Sequence, residues 1–156
     1  MELRIVLQNQ KPKFRDDLYF MQRTIDLAKS VPENEVPVAA IIVKDDEILA
    51  EAINTRERDA SILGHAEINA IEAAAAKTGD WNLDGATIYV NLEPCSMCAG
   101  AILQAHIKKV VWGVNDAKSG AFGSRYNLAT KNMELVSGVM ERECLELLRE
   151  FFESRR

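Results

Sequence analysis

Two short motifs constrain this chain more than any other part of its sequence: His65-Ala66-Glu67 and Pro94-Cys95-Ser96-Met97-Cys98. Together they supply one imidazole and two thiols, which are good zinc ligands, and one spare carboxylate. A catalytic zinc typically takes three protein ligands and leaves a fourth position for water, whose pKa the metal lowers. A carboxylate beside the metal can then carry protons. The chain must therefore fold so that two segments about thirty residues apart meet at one point.

Two other interpretations of these motifs fit less well. A structural zinc needs four protein ligands, and the remaining candidates are His106 and Cys144. On one helix His106 would lie about 12 Å from the second motif cysteine, too far to share a metal, and Cys144 lies in an apolar pattern typical of a core. A dithiol redox site would leave the histidine and the glutamate without a role. We therefore expect one Zn²⁺ per subunit on His65, Cys95 and Cys98, with Glu67 as the catalytic proton carrier.

Composition predicts an ordinary globular chain. With 156 residues, 47% of them hydrophobic and 28% charged, it is expected to form a single domain over residues 1–156 with a sizeable core. Residues 1–15 lack clear periodicity and are interpreted as a possible strand or N-terminal arm. No apolar run approaches the roughly 18 residues that span a bilayer, and three cysteines make no disulfide framework. We therefore expect a cytoplasmic protein without a membrane partner.

The hydrophobic pattern alternates between helices and strands. Helices are predicted from Asp16 to near Val31-Pro32 and over His65–Lys77, Ser96–Gln104 and Glu141–Phe152. Strands are predicted over Val38–Val43, Ile48–Ile53, Thr87–Asn91, Lys109–Val114 and Glu134–Ser137. This alternation implies an α/β fold, with a mixed or parallel sheet covered on both faces.

The motif spacing also predicts where the metal ligands lie on the helices. His65 and Glu67 are two residues apart, which places them roughly 200° apart around a helix. They can converge on one metal only near the start of the helix. Pro94 similarly suits the start of a helix, with Cys95 and Cys98 in or beside its first turn. Two positive helix N-termini would then face the metal and favour thiolate over thiol.

The combined pattern H-x-E…P-C-x-x-C is the signature of zinc-dependent nucleobase deaminases. From about Leu18 to Arg156 the sequence resembles the bacterial tRNA-specific adenosine deaminases of the cytidine-deaminase-like superfamily. Beyond the zinc motifs, the resemblance rests on three stretches: Pro32–Val38, Asp116–Ser124 and Phe151–Arg156.

The resemblance implies a three-layer α/β/α cytidine-deaminase-like fold with a five-stranded mixed sheet, and a homodimer. It implies conversion of adenosine to inosine at the wobble position, with the tRNA anticodon loop as partner. Glu67 would take a proton from water and deliver it to the base and the leaving ammonia, and Asn54 would hydrogen-bond the base. The other implied substrate contacts are Asp116 and Lys118, with flanking nucleotides or backbone, and Phe152, Arg155 and Arg156, near the anticodon loop.

Four features depart from the usual pattern of that family. Gly64, after Ile62-Leu63, replaces the usual Pro-x-Ala before the histidine, and the segment Asn127–Asn132 is shorter and lacks an Asn-His pair. The chain stops at Arg156 without a further basic extension, and its net charge is −5, which argues against a general polyanion-binding surface. All four features concern the binding of the substrate rather than the binding of zinc. They keep open a deaminase of a free base, nucleoside or other small amino-heterocycle, and, more remotely, a zinc-stabilised binding module.

Overall fold

The computed structural model describes residues 16–155, and the expectations for residues 1–15 and for Arg156 lie outside this range. The described chain forms four helices and five strands. The helices are α1 (Asp17–Ala28), α2 (Ala66–Thr78), α3 (Ser96–Gln104) and α4 (Glu141–Glu153), and the strands are β1 (Ala39–Lys44), β2 (Glu47–Ile53), β3 (Thr87–Leu92), β4 (Lys109–Val114) and β5 (Glu134–Val136).

The five strands form one mixed sheet in the order β2-β1-β3-β4-β5. Strand β1 is antiparallel to both β2 and β3, whereas β3, β4 and β5 are parallel. Strands β2, β3 and β4 therefore run in the same direction, and their carboxyl ends lie at one edge of the sheet. In open α/β sheets ligands bind outside the carboxyl ends of the strands, so the topology already selects this edge.

Helices cover both faces of the sheet, as the apolar strands predict. Alternate residues of a strand point to opposite faces: Ala40 and Ile42 of β1 belong to one core cluster with α2 and α3. Ile41 and Val43 belong to the second cluster, with α1 and with Cys144 of α4. The predicted three-layer α/β/α architecture with a five-stranded mixed sheet is confirmed.

Local sequence explains the turns and the helix ends. In the hairpin between β1 and β2, Asp45 and Asp46 both have positive φ (51° and 64°), which suits Asp better than most residues. Helix α2 ends at Gly79 in the left-handed conformation, a common helix stop. Asp16 caps α1 by accepting a hydrogen bond from the Tyr19 amide at 3.0 Å.

Most predicted elements agree with the structure within two residues, and the main difference is the end of the first helix. Helix α1 ends at Ala28 with Lys29 as its C-cap, three residues before the expected stop at Val31-Pro32. No described helix is long and apolar enough to cross a membrane.

The side chain of Asn91 extends the sheet toward the site edge. It lies in β3 and is fully buried. Its amide donates to the Pro37 carbonyl at 2.8 Å, and its oxygen accepts from the Ala39 amide at 2.9 Å. At Ala39, where β1 is not yet paired with β3, the Asn91 side chain takes the place of the backbone hydrogen bonds between the two strands. Through Pro37 it also anchors the segment leading into β1.

We predict that Gly113→Ala destabilises the fold. An added Cβ on this β4 residue would overlap the Cys144 sulfur of α4, and overpacking of a core typically costs about 1–3 kcal/mol. Gly113→Ala should have a lower urea-denaturation midpoint than wild type. Adding Cys144→Ala to Gly113→Ala should recover part of this lost stability, whereas Cys144→Ala alone should not stabilise the protein. Gly100→Ala is the matched control, because Gly100 lies in α3 with open space around its Cα. Equal stability of Gly113→Ala and Gly100→Ala would contradict this packing.

Candidate active site

Three side chains that can hold a metal meet at the selected sheet edge. His65 is the N-cap of α2, Cys95 is the N-cap of α3, and Cys98 lies in the first turn of α3. The His65 Nδ1 atom lies 3.6 Å from the Cys95 sulfur and 3.4 Å from the Cys98 sulfur. Their ligand atoms all lie within 4.8 Å of one another, and no other group of three or more such residues occurs between residues 16 and 155.

These separations fit a tetrahedral zinc. With Zn–N and Zn–S distances of about 2.0 and 2.3 Å, neighbouring ligand atoms should lie about 3.5 Å apart. Neither the His65 nor the Cys95 side chain makes a capping hydrogen bond to its helix. The two N-cap side chains therefore face each other at the two helix N-termini, and the donor set suits zinc.

The electrostatics of the two cysteines differ. Hydrogen bonds from Cys98 and, to a smaller extent, from His65 together lower the pKa of the Cys95 thiol to about 4. The same bond to Cys95, followed by burial, raises the pKa of Cys98. The pKa of His65 is raised, chiefly by its hydrogen bond with Cys95. These contacts therefore favour the thiolate form of Cys95, which is the form that binds a metal.

Glu67 lies in the first turn of α2, beside the three ligand atoms. Its side chain is only 4% exposed, and burial raises the pKa of its carboxyl to about 7. A carboxyl group with this pKa can both accept and release a proton near neutral pH, which a general acid–base catalyst must do.

His65, Glu67 and Cys95 line a cleft of about 250 Å³, and Cys98 lies behind them, fully buried. This volume is below the range of drug-sized ligand pockets, so the cleft suits one small ring. Its walls come from the end of β2, the start of α2, the end of β3, the loop after β4, and α4. The lining residues are Val36, Val38, Asn54, Arg56, His65, Ala66, Glu67, Leu92, Glu93, Cys95, Asp116, Ser119 and Phe152.

Asn54 lies in the cleft wall just after β2. Its side-chain amide donates to the Val36 carbonyl at 3.2 Å, and its oxygen accepts from the Arg56 amide at 3.1 Å. A carboxamide has two donor hydrogens and two acceptor lone pairs. One donor and one acceptor position therefore remain to serve a ligand.

Asp116 and Lys118 lie in the loop after β4. The Asp116 carboxylate accepts hydrogen bonds from the backbone amides of Lys118 (3.0 Å) and Ser119 (3.3 Å) and from the Ser119 hydroxyl (3.1 Å). Asp116 thus stabilises its own turn while lining the cleft. Lys118 does not line this cleft but lies in the adjoining groove, between the loop and α4.

The C-terminal residues separate into different environments. Phe152 is 56% exposed and lines both the cleft and the adjoining groove. Arg155 lines neither, because its guanidinium lies 3.8 Å above the Phe151 ring and donates to the Ser154 hydroxyl. The structure therefore brings Phe152 to the site and leaves Arg155 beside it, while Arg156 lies outside the described residues.

Sequence reasoning missed two buried carboxylates that hold the loops around the cleft. Glu35 and Glu93 are each only 2% exposed. Glu35 accepts hydrogen bonds from the backbone amides of Glu57 (2.6 Å) and Arg58 (3.3 Å). In the sequence, both glutamates lie beside apolar stretches and a proline, and this context could have indicated that they are buried. Arg56, which lines the cleft, was also missed.

The structure explains the glycine at position 64. A Cβ at Gly64 would lie 2.9 Å from the backbone nitrogen of Arg56 and 3.0 Å from the carbonyl carbon of Thr55. The Thr55 amide also donates to the Gly64 carbonyl at 2.8 Å. The residue before the histidine therefore packs directly on the backbone that follows β2, where a side chain would push the two segments apart.

Comparison with known proteins agrees with this geometry. The family model of MafB19-like deaminases matches residues 14–156. A tRNA-specific adenosine deaminase of Bacillus subtilis (strain 168) is 41% identical over 147 residues, covering 91% of each chain. A solved structure from work on A-to-I editing by tRNA:A34 deaminases superposes with a TM-score of 0.79 at 35% identity, covering 83% of this chain and 99% of that one.

A third comparison shows the fold alone. The structure of guanine deaminase from Nitrosomonas europaea superposes with a TM-score of 0.75 over 94% of this chain and 90% of that one, at 21% identity. Taken with the ligand group, the buried carboxyl and the extent of the matches, these findings show that the chain belongs to the MafB19-like deaminases, in the family of tRNA-specific adenosine deaminases.

Proposed function

We propose that this protein hydrolytically deaminates adenosine to inosine at the wobble position of a tRNA anticodon, using one Zn²⁺ per subunit. The observation that carries the proposal is the buried Glu67 carboxyl beside the ligand atoms of His65, Cys95 and Cys98, in a cleft sized for one ring. The relatives named as tRNA-specific adenosine deaminases support the choice of substrate.

The chain's own residues supply the binding and the proton transfers. When bound by His65, Cys95 and Cys98, zinc supplies a Lewis acid that lowers the pKa of water. Glu67 removes one proton from the water that attacks C6 of an adenine held outside the base stack and delivers it to N1 of the ring. It then carries the second proton of that water to the amino group, so that the C6–N bond breaks, ammonia leaves and inosine remains. The burial that raises the pKa of Glu67 to about 7 suits a group that must reverse its protonation state within one turnover.

Residues around the cleft supply the substrate contacts. Asn54 hydrogen-bonds the base through its remaining donor and acceptor. Asp116 and Lys118 contact flanking nucleotides or backbone from the loop after β4, and Phe152 presents an exposed ring across both cavities. Arg155 and Arg156 follow it and place positive charge near the anticodon loop. This local charge matters because the protein as a whole carries a net charge of −5.

The proposed substrate can be tested directly. Zinc-loaded protein should form inosine in an anticodon stem-loop carrying adenosine at position 34, and a stem-loop carrying guanosine there should remain unchanged. Binding should weaken steeply with added salt, because phosphate contacts release counterions. Free adenosine, adenine, cytidine and guanine serve as competing substrates. Turnover of one of these without turnover of the RNA would instead establish a deaminase of small heterocycles, since the cleft volume suits a free base as well.

The proton-transfer role makes a second prediction. Glu67→Gln should lower kcat by at least about 10²-fold, the usual contribution of general acid–base catalysis, while metal analysis still finds one zinc per chain. Cys95→Ala is the matched comparison and should lose the zinc. Cys144→Ala, which removes a buried thiol far from the ligand group, should keep both zinc and activity. Wild-type turnover by Glu67→Gln would refute the mechanism.

We also propose that the protein is a cytoplasmic homodimer that associates through the outer face of α2 and α3. Trp81, in the loop after α2, is 63% exposed, and its ring lies roughly perpendicular to that of His106, with ring centroids 5.3 Å apart. Beside it lies a groove of about 500 Å³ whose lining includes Ile71, Ala75, Ala101 and Ala105. An exposed apolar surface of this kind is typical of a protein interface, and an identical subunit supplies a matching surface.

The proposed interface can be tested by sedimentation. Trp81→Ala should shift the protein from dimer toward monomer at micromolar concentration, because aromatic side chains contribute most to interfaces. Leu18→Ala is the control, since Leu18 is a similarly exposed apolar residue on α1, 57% exposed against 63% for Trp81, but lies on the opposite side of the sheet. A wild-type monomer, or a dimer that Trp81→Ala leaves intact, would reject this interface.

A further inference from the structure

Glu93 is a buried carboxylate to which the mechanism above assigns no task. It follows β3 directly, precedes the zinc-motif residues Pro94 and Cys95, and is 2% exposed. A buried carboxylate is costly unless its oxygens accept hydrogen bonds. The partners of this carboxylate therefore indicate what holds it in place and what it holds in turn.

All four hydrogen bonds to the Glu93 carboxylate come from one loop, residues 116–124. Oε1 accepts from the Asp116 amide at 3.1 Å and from the Ser124 hydroxyl, and Oε2 accepts from the amides of Phe122 (3.0 Å) and Ser124 (3.3 Å). The carboxylate also occupies the space that a side chain at Gly120 would need. The loop therefore closes around the carboxylate and is tied to it at both ends.

Backbone contacts of residues 93–95 tie the metal-binding segment to the end of β4 and to the same loop. The Glu93 amide donates to the Val114 carbonyl at 2.8 Å, and the Ala121 amide donates to the Pro94 carbonyl at 2.9 Å. Cys95 and Gly120 form an isolated antiparallel bridge. Residues 93–95 therefore both hold the 116–124 loop in place and include the zinc ligand Cys95.

This loop forms one wall of the cleft. Asp116 and Ser119 line the cleft itself, and Lys118 lines the adjoining groove. The Asp116 side chain is already occupied by its own turn, so it does not hold the loop to the rest of the protein. At this end of the loop, the bond between the Asp116 amide and the Glu93 carboxylate does this.

We propose that Glu93 is a positioning residue: its carboxylate holds the 116–124 loop against the zinc-ligand segment and so sets the affinity for the nucleotide. The inference rests on the proposed function for the identity of that nucleotide. It assigns Glu93 no contact with the reacting atoms. Loss of the carboxylate should therefore impair substrate binding more than the chemical step.

Glu93→Gln is the informative substitution because it keeps the size and changes the hydrogen bonding. A carboxamide has one acceptor oxygen and an NH₂ group that only donates. With its oxygen toward Phe122 and Ser124, the NH₂ group would face the Asp116 amide, and two donors cannot pair. The Asp116 end of the loop should therefore be released.

In Glu93→Gln, KM for the adenosine-34 stem-loop should rise about tenfold or more, as expected when a hydrogen bond to a charged group is lost. We expect kcat to stay within about threefold of wild type, since a binding role moves KM rather than kcat. Zinc content should remain one per chain. Hydrogen exchange should accelerate at the Asp116 amide. Glu33→Gln, an exposed carboxylate, is the matched control and should match wild type.

A second variant keeps the test decisive if Glu93→Gln folds poorly. Gly120→Ala leaves the carboxylate intact but displaces it, and should raise KM in the same way, while Gly100→Ala should not. An unchanged KM in both Glu93→Gln and Gly120→Ala, or a fall in kcat at constant KM, would overturn the inference. If the wild type deaminates only a free base, the proposed function fails. In that case the role of Glu93 is tested by measuring, in Glu93→Gln, KM for that base and the hydrogen-exchange rate of the Asp116 amide. If neither changes, the inference about Glu93 is rejected.

Discussion

The loops around the cleft are held by buried polar side chains rather than by regular secondary structure, and the site depends on this arrangement. Backbone amides away from water must be paired. Glu35 accepts from the segment after β2, Asn91 from the first residue of β1, and Glu93 from the loop after β4. These acceptors allow irregular chain to pack tightly over the carboxyl ends of the strands, where the ligand group lies.

The sheet topology explains why so few residues are needed to build the site. Since β2 and β3 run in the same direction, α2 and α3 both begin at one edge, and their N-cap residues are the histidine and the first cysteine. Two positive helix ends then stabilise negative charge on the ligands. Glu67 comes to the same point because it is in the first turn of α2, where burial keeps its carboxyl ready to exchange a proton.

Much of this could be predicted from sequence because the signals were local. The zinc motifs identify their own ligands by residue type and spacing, and the strands show as short β-branched runs. The end of α1 was placed three residues too late because Pro32 limits a helix without deciding where its last turn ends. Phe152 and Arg155 are near neighbours in sequence, yet only the first reaches the cleft. The structural tasks of Glu35 and Glu93 were missed because a carboxylate's burial is a tertiary property, invisible in a residue type that is usually exposed.

The close contact between Gly113 and Cys144 has an evolutionary consequence. The position of the Gly113 side chain is taken by a sulfur atom from a helix that begins nearly thirty residues later. A larger residue at 113 is tolerated more easily once a smaller one is present at 144, although the Cβ of residue 144 and the Asn91 carbonyl oxygen remain within 3.0 Å of the added Cβ. The two positions should therefore vary together among relatives, and the order in which such changes accumulate is restricted by packing alone.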